Sequence, residues 1–173
     1  MTTVLDTLSK SLAGKVAIIS GSSSGIGAAI ARELSLRGAS IVVNYPFDSE
    51  KANAEAVLAS LQHQSRSIIV EADLSTVAGP SRLIQTAVAE FGNIDILVNN
   101  AGRAVPSSMG NEQEEDVLST WDAVVNLNGR GTFLLTRAVL KHLSLSNSRI
   151  INISSSTSRN PEPICLSTPE QKG

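Results

Sequence analysis

Short apolar segments alternate with helical patterns along most of the chain. Each apolar segment is continuous and rich in β-branched residues, a pattern that is typical of strands buried on both faces of a parallel sheet. The segments lie at 15–20, 40–45, 67–72, 94–98 and 149–153. We therefore predict five parallel β-strands.

The segments between these strands carry apolar residues at helical spacing. The predicted helices cover 26–36, 54–61, 83–91 and a longer stretch over 121–139, and Pro80 precedes the third where a first-turn proline is tolerated. Repeated strand–helix–strand units imply right-handed crossovers and an open sheet with helices on both faces. The predicted fold class is α/β, a doubly wound parallel sheet of the Rossmann type.

Composition excludes several classes of partner. Hydrophobic residues make up 42% and charged residues 17% of the chain, as in a soluble globular protein. A net charge of -2 and an aromatic content of 3% argue against nucleic acid and anionic membranes. One cysteine, Cys165, with His63 and His142 far apart in sequence, gives no metal site. Without a signal-like or membrane-spanning segment, we expect a cytoplasmic protein.

Three glycines follow the first predicted strand and open the first predicted helix. Gly21, Gly25 and Gly27 form a G-x-x-x-G-x-G pattern in which glycine permits a sharp turn, a close backbone approach to a pyrophosphate, and tight packing of helix on strand. A flexible serine–glycine turn is the alternative. The position after the first of five strands favours nucleotide binding by residues 21 and 23–27, with Ser23, Ser24 and Ile26 among them. We expect a nucleotide-binding domain over 1–160 and an irregular tail over 161–173.

Four motifs occur in order along the chain: S-G-S-S-S-G-I-G, D-I-L-V-N-N-A-G, N-G-R-G-T-F and R-I-I-N-I-S-S-S. As a set they resemble the short-chain dehydrogenase/reductase family over roughly residues 12–160. The V-V-N-Y stretch is most similar to NADP-dependent ketoreductases of fungal secondary metabolism. The resemblance implies an oxidoreductase that moves a hydride between a nicotinamide cofactor and a small carbonyl or alcohol substrate.

The end of the second predicted strand bears on the choice of cofactor. An acid there favours NAD by binding the adenosine ribose, but this chain has Asn44 and Tyr45 and no acid before Asp48. We therefore expect NADP rather than NAD, with Ser22–Ser24, Asn44 and Lys51 as candidates for contacting the 2′-phosphate.

The resemblance also implies further cofactor contacts. Asp73 would contact the adenine and the segment Asn100–Ala101–Gly102 would line the ribose, while Arg130 is a further candidate and Asn99 braces the sheet. Taken alone, Asp73 also suits a turn or helix cap.

The family performs its chemistry with Tyr, Lys, Ser and Asn. Asn128 matches the Asn, in a helical pattern where Gly129 permits a local distortion, although a plain surface Asn is the alternative. Ser155 matches the Ser, with Ser154 and Ser156 as rivals in register and loop capping as the alternative. The single Tyr of the sequence is Tyr45, on the adenosine side.

Family spacing from Ser155 places the catalytic Tyr at Thr168 and the Lys at Lys172. Pro169 suits only the first turn of a helix, which argues against this match. Two functions remain open: an NADP-dependent oxidoreductase, or a catalytically silent nucleotide-binding chain truncated before the Tyr-x-x-x-Lys motif. The resemblance implies a homo-oligomer whose interface helix is missing, together with later strands, so we expect the fifth strand to present an exposed apolar edge.

Overall fold

A computed structural model describes residues 11–62, 66–105, 113–144 and 147–155. Five strands form one fully parallel sheet in the order β3-β2-β1-β4-β5. The strands are β1 (Val16–Ile19), β2 (Ser40–Tyr45), β3 (Ile68–Glu71), β4 (Ile96–Asn99) and β5 (Arg149–Asn152). The predicted fold class and all five strands are confirmed, with bounds that differ by at most two residues.

Helices connect consecutive strands. They are α1 (Gly25–Leu36), α2 (Lys51–Ala59), α3 (Gly79–Phe91), α4 (Glu114–Val125) and α5 (Thr132–Val139), and short 3-10 turns cover Asp48–Glu50 and Leu140–His142. Pro80 lies in the first turn of α3, as predicted. None of the helices within the described residues is long and apolar enough to cross a bilayer.

The sheet separates two hydrophobic cores. One core contains Ile18, Val42 and Leu97 from the sheet, together with Leu83 of α3 and Leu135 of α5. The other contains the alternate strand residues and the inner faces of α1 and α2. Because successive side chains of a strand point to opposite faces, a continuous apolar run fills both cores at once. This explains why β1 and β2 are buried along their whole length.

The helical stretch predicted over 121–139 is present, with a distortion in its middle. The helix begins earlier, at Glu114, and a π-helical segment over Asn126–Gly131 separates α4 from α5. The π-helical segment approaches the backbone of Leu74 closely at Gly131. Glycine permits this approach, because a Cβ there would meet the backbone carbonyl oxygen of Leu74. The local distortion expected beside Gly129 is confirmed.

β5 forms the sheet edge in the part of the chain that the structure describes. It pairs with β4 alone there, and Ile151 and Ile153 are exposed. The expected exposed apolar edge is present in the described residues.

The start of the sheet is fixed by a buried carboxylate. Asp95 accepts hydrogen bonds from Lys15 Nζ at 2.8 Å and from the Val16 N–H at 2.9 Å, which ties the first residue of β1 to the segment before β4. Burial acts to raise the pKa of Asp95, but the hydrogen bonds from Lys15, Val16 and Ser144 and the charge of Lys15 outweigh it and hold the pKa below its ordinary value of 3.8.

We expect the Asp95→Asn variant to lower the free energy of unfolding at pH 7 by about 1 kcal/mol, since Lys15 is partly solvated and the ion pair is screened. A carboxyl whose pKa is depressed by folding stabilises the fold above its unfolded pKa and loses that effect as the pH falls through its folded pKa. The difference between wild type and variant should therefore shrink below about pH 4. Urea unfolding between pH 3 and 7 measures it, with the exposed Asp122→Asn as control. A difference that is constant across this range would contradict the assignment.

Candidate nucleotide-binding site

A cleft of about 550 Å³ opens at the carboxyl ends of the strands. It lies where the chain order reverses about β1, since β2 pairs on one side of β1 and β4 on the other. This switch point is where parallel sheets bind their ligands. The residues that line it come from four strand ends and their loops, with Leu127 added from the π-helical segment: Gly21, Ser23, Ser24, Asn44, Pro46, Phe47, Glu50, Ala72, Asp73, Leu74, Ser75, Asn100, Ala101, Gly102, Arg103 and Leu127.

The glycine loop leaves the first turn of α1 suited to an anion. Gly21 and Gly25 have φ of 61° and 56°, the left-handed region that favours glycine. Ser24 precedes the helix in an extended conformation and makes no side-chain cap hydrogen bond, and the first turn holds no acidic residue. The first N–H groups of a helix have no intrahelical acceptor and carry the positive end of its dipole. The residues present therefore fit the pyrophosphate of a dinucleotide.

Gly27 is required by close packing behind the loop. A Cβ at this position would lie 2.5 Å from Asn100 Nδ2, 2.6 Å from the Gly21 carbonyl oxygen and 2.9 Å from Ser22 Cα. Its predicted role in letting the helix approach the sheet agrees with this geometry. Ile26, between Gly25 and Gly27, is 65% exposed and stands outside the cleft lining.

Asn44 lines the cleft and Ser22 does not, and the side chains of both are bonded to the backbone, so their expected contacts with a phosphate stay a prediction. The Asn44 amide is buried: Oδ1 accepts from the Gly21 N–H at 3.0 Å, while Nδ2 donates to the carbonyl oxygens of Tyr45, Val70 and Ala72. Ser22 Oγ donates to the Ile19 carbonyl and accepts from the Asn44 N–H. Both side chains hold the glycine loop in place, because their polar atoms are already used by the backbone.

The end of β4 is fixed to the same loop. Asn100 Nδ2 donates to the carbonyl oxygens of Ser20 and Gly21, and Ser20 Oγ accepts from the N–H groups of Asn100 and Ala101, each at 2.9 Å. Asn100, Ala101 and Gly102 all line the cleft, where the ribose contacts were expected.

The preceding residue, Asn99, braces the sheet as predicted. Its Nδ2 donates to Asn152 Oδ1 on β5 at 2.8 Å and to Thr136 Oγ1 on α5 at 3.0 Å. Its buried Oδ1 makes no hydrogen bond within the described residues.

Asp73 combines a place in the cleft with the turn role expected of it taken alone. Its Oδ1 accepts from the Ser75 N–H at 2.9 Å and from Ser75 Oγ at 2.7 Å, which forms an Asx turn after β3. Arg130 reaches this turn from the π-helical segment and donates from Nη2 to the Ser75 carbonyl at 2.5 Å. Arg130 thus supports the wall of the cleft, while Asp73 lines it.

Asn128 lies in the π-helical segment and connects it to the loop after β4. Oδ1 accepts from the Arg103 N–H and Nδ2 donates to the Arg103 carbonyl, both at 2.9 Å. The side chain therefore positions the Gly102–Arg103 backbone at the mouth of the cleft. Such π-helical turns are frequent at functional sites.

Ser155 follows β5 on the edge of the sheet where the cleft opens, and its side chain is exposed. Ser154 is exposed beside it, so the two serines remain rivals for the family position. Ser156, Thr168 and Lys172 lie outside the described residues. Tyr45 is buried in the sheet core. No group of three His, Cys, Asp or Glu side chains that could hold a metal exists in the described part of the chain.

Three cleft residues that follow β2 were not predicted from the sequence. Pro46, Phe47 and Glu50 line the cleft, and Phe47 is 54% exposed. Only the 3-10 turn over Asp48–Glu50 brings Glu50 back to the loop, and such a turn has no distinctive sequence signal. The exposed aromatic after a buried strand was the available clue for Phe47.

Two curated relatives are similar to this chain in sequence. Glucose 1-dehydrogenase 2 of Bacillus subtilis is 37% identical over 166 residues, which cover 95% of this chain and 63% of the relative. The short chain dehydrogenase/reductase AacuN of Aspergillus aculeatus is 45% identical over 147 residues, which cover 84% of this chain and 53% of the relative. The chain thus spans between about half and two thirds of the length of these relatives.

A solved structure and a family model give the same assignment. The blue fluorescent protein from a metagenomic library, solved in complex with NADPH, superposes with a TM-score of 0.78 at 33% identity, over 87% of this chain and 60% of that one. The family model for short chain dehydrogenase matches residues 15–166, which include the glycine loop, the cleft and β5. The chain belongs to the short-chain dehydrogenase family.

Proposed function

We propose that this chain carries the cofactor-binding half of an oxidoreductase that transfers a hydride between NADP(H) and a small carbonyl or alcohol substrate. The observation that carries the proposal is the uncapped first turn of α1, which opens on the cleft at the switch point of a parallel sheet. The resemblance to fungal ketoreductases extends the proposal to secondary metabolism, and the Aspergillus relative is likewise a fungal short chain dehydrogenase/reductase.

The cleft lining suggests how a dinucleotide is held. The N–H groups from Gly25 to Gly27 would bind the pyrophosphate, and Asn100, Ala101 and Gly102 would contact a ribose. Asp73 and Phe47 lie on the walls at the adenosine end, where an exposed aromatic ring offers a stacking surface. When bound, the nicotinamide supplies or accepts the hydride.

The substrate end is assigned to Asn128 and Ser155. Asn128 would hold the loop at the mouth of the cleft and position a water for the proton relay, while the Ser155 hydroxyl would donate to the substrate oxygen. A donor aimed at an oxygen that gains negative charge stabilises the transition state. The resemblance to the family implies that a Tyr gives the proton to the substrate oxygen or takes it from there.

The preference for NADP over NAD is supported by the end of β2. The residues there are Asn44, whose amide bonds to the backbone, and Tyr45, which is buried. Neither offers a carboxylate to an unphosphorylated ribose. The structural relative solved with NADPH agrees with this preference.

Calorimetry with NADPH and NADH on the purified chain tests the proposed cofactor. We expect both to bind at the cleft, with NADPH tighter by about tenfold, a difference of about 1.4 kcal/mol. Tighter binding of NADH would refute the NADP preference. Failure of both dinucleotides to bind a folded chain would refute the proposed function, with circular dichroism reporting the fold.

A further inference from the structure

Glu50 is placed apart from the other acids near β2. It ends the 3-10 turn over Asp48–Glu50, which begins with a hydrogen bond from the Glu50 N–H to the Phe47 carbonyl at 2.9 Å. Glu50 is half-buried and lines the cleft, whereas Asp48 on the same turn is exposed and does not. One of two neighbouring acids is therefore turned into the candidate cofactor site.

The carboxylate of Glu50 is held by neutral donors. Its Oε2 accepts from Ser23 Oγ at 3.3 Å and from Asn53 Nδ2 at 3.1 Å. Ser23 belongs to the glycine loop and is buried. Neither ion pair formed within the described residues includes Glu50, so its carboxylate has no cationic contact there.

A carboxylate at this place acts oppositely on the two cofactors. The unphosphorylated ribose of NADH offers hydroxyl donors to an acid beside the glycine loop. The 2′-phosphate of NADPH is an anion, and two negative charges a few ångströms apart repel each other more strongly in a cleft than in water. Ser23 is a candidate ligand of the 2′-phosphate, but its hydroxyl already donates a hydrogen bond to Glu50.

We propose that Glu50 sets the ratio of the affinities for NADPH and NADH. It does so through its carboxylate, which accepts a hydrogen bond from Ser23 at the adenosine end of the cleft. The residue supplies from the following turn the acid that the end of β2 lacks. It limits the preference for NADPH and keeps NADH as a usable cofactor. The inference rests on the proposed dinucleotide binding and names the residue that controls its selectivity.

The test compares wild type with Glu50→Gln, which removes the charge and keeps the size and a hydrogen-bonding oxygen. Asp48→Asn is the matched control, because it removes the same charge from an exposed site on the same turn. Calorimetry with NADPH and NADH, and with the fragments 2′,5′-ADP and 5′-AMP, gives the affinity ratio of phosphorylated to unphosphorylated ligand. We expect Glu50→Gln to raise both ratios about tenfold and Asp48→Asn to change them about twofold or less, since an exposed charge is screened by salt.

A second charge-free variant, Glu50→Ala, should raise the ratio in the same direction and guards against a folding defect of the first. Unchanged ratios in both variants, or affinities for the two ligands that move together, would overturn the role of Glu50 while leaving dinucleotide binding intact. If NADPH and NADH both fail to bind folded wild type, the proposed function fails and this inference fails with it.

Discussion

Gly27→Ala is expected to lower the free energy of unfolding by roughly 2–3 kcal/mol and to weaken NADPH binding more than tenfold. The added methyl group would lie 2.5 Å from Asn100 Nδ2 and 2.6 Å from the Gly21 carbonyl oxygen, and neither atom has room to move freely. Asn100 Nδ2 is itself bonded to the carbonyl oxygens of Ser20 and Gly21. Displacing it therefore disturbs the glycine loop and the end of β4 together. Urea unfolding and calorimetry with NADPH measure the two effects.

Gly129→Ala is the matched control for this substitution. Its added methyl group would have Val125 Cγ1 at 3.9 Å as its nearest neighbour, an ordinary contact, and Gly129 has no positive φ. Its effect on stability should stay within about 1 kcal/mol, because an unstrained alanine mainly restricts the unfolded chain. Equal stability and equal cofactor affinity in both variants would contradict the packing role of Gly27.

β1, β2 and β4 could be predicted from sequence because their burial is continuous. β1 and β2 are covered on both faces, so every residue of each run is apolar or hydrogen-bonded inside, and the run itself marks the strand. The helix over 121–139 was harder, because α4 and α5 keep a helical spacing across the π-helical segment. Gly129 indicated a distortion, but its extent depends on the contact between Gly131 and Leu74, which are far apart in sequence.

The residues of the candidate site also differ in how far they could be predicted from the sequence. Gly21 and Gly25 could be identified because their positive φ favours glycine, and Gly27 because a side chain there would meet the backbone of the glycine loop. The polar side chains could not be assigned from sequence, since a pattern shows which amide is present but not which way it points. Asn44 is turned into the sheet and Glu50 into the cleft, and both orientations depend on hydrogen bonds between separate segments.

Replacing the segment from Asn160 onward by that of a full-length relative, which carries Tyr-x-x-x-Lys, should give a fusion that reduces ketones with NADPH. The same fusion with that Tyr changed to Phe should be slower by about 10²–10⁴-fold, the contribution of a general acid placed at the reacting oxygen. Tyr45 cannot take this role, because it is buried in the sheet core on the adenosine side. The chain as printed should accordingly show no reduction above background. Oxidation of NADPH against a panel of ketones and quinones measures all three proteins.

The fusion also decides between the two serines after β5. Ser155→Ala should lower kcat with little effect on NADPH affinity, because a donor to the substrate oxygen acts on the transition state and lies away from the pyrophosphate site. Ser154→Ala is the matched control, because Ser154 is also exposed and lies one residue away. A larger loss of kcat in Ser154→Ala than in Ser155→Ala would assign the family's Ser position to Ser154. Clear ketone reduction by the chain as printed would require a proton donor other than Tyr. Loss of that activity in Ser155→Ala would identify the Ser155 hydroxyl as the donor, and retained activity would point to an ordered water.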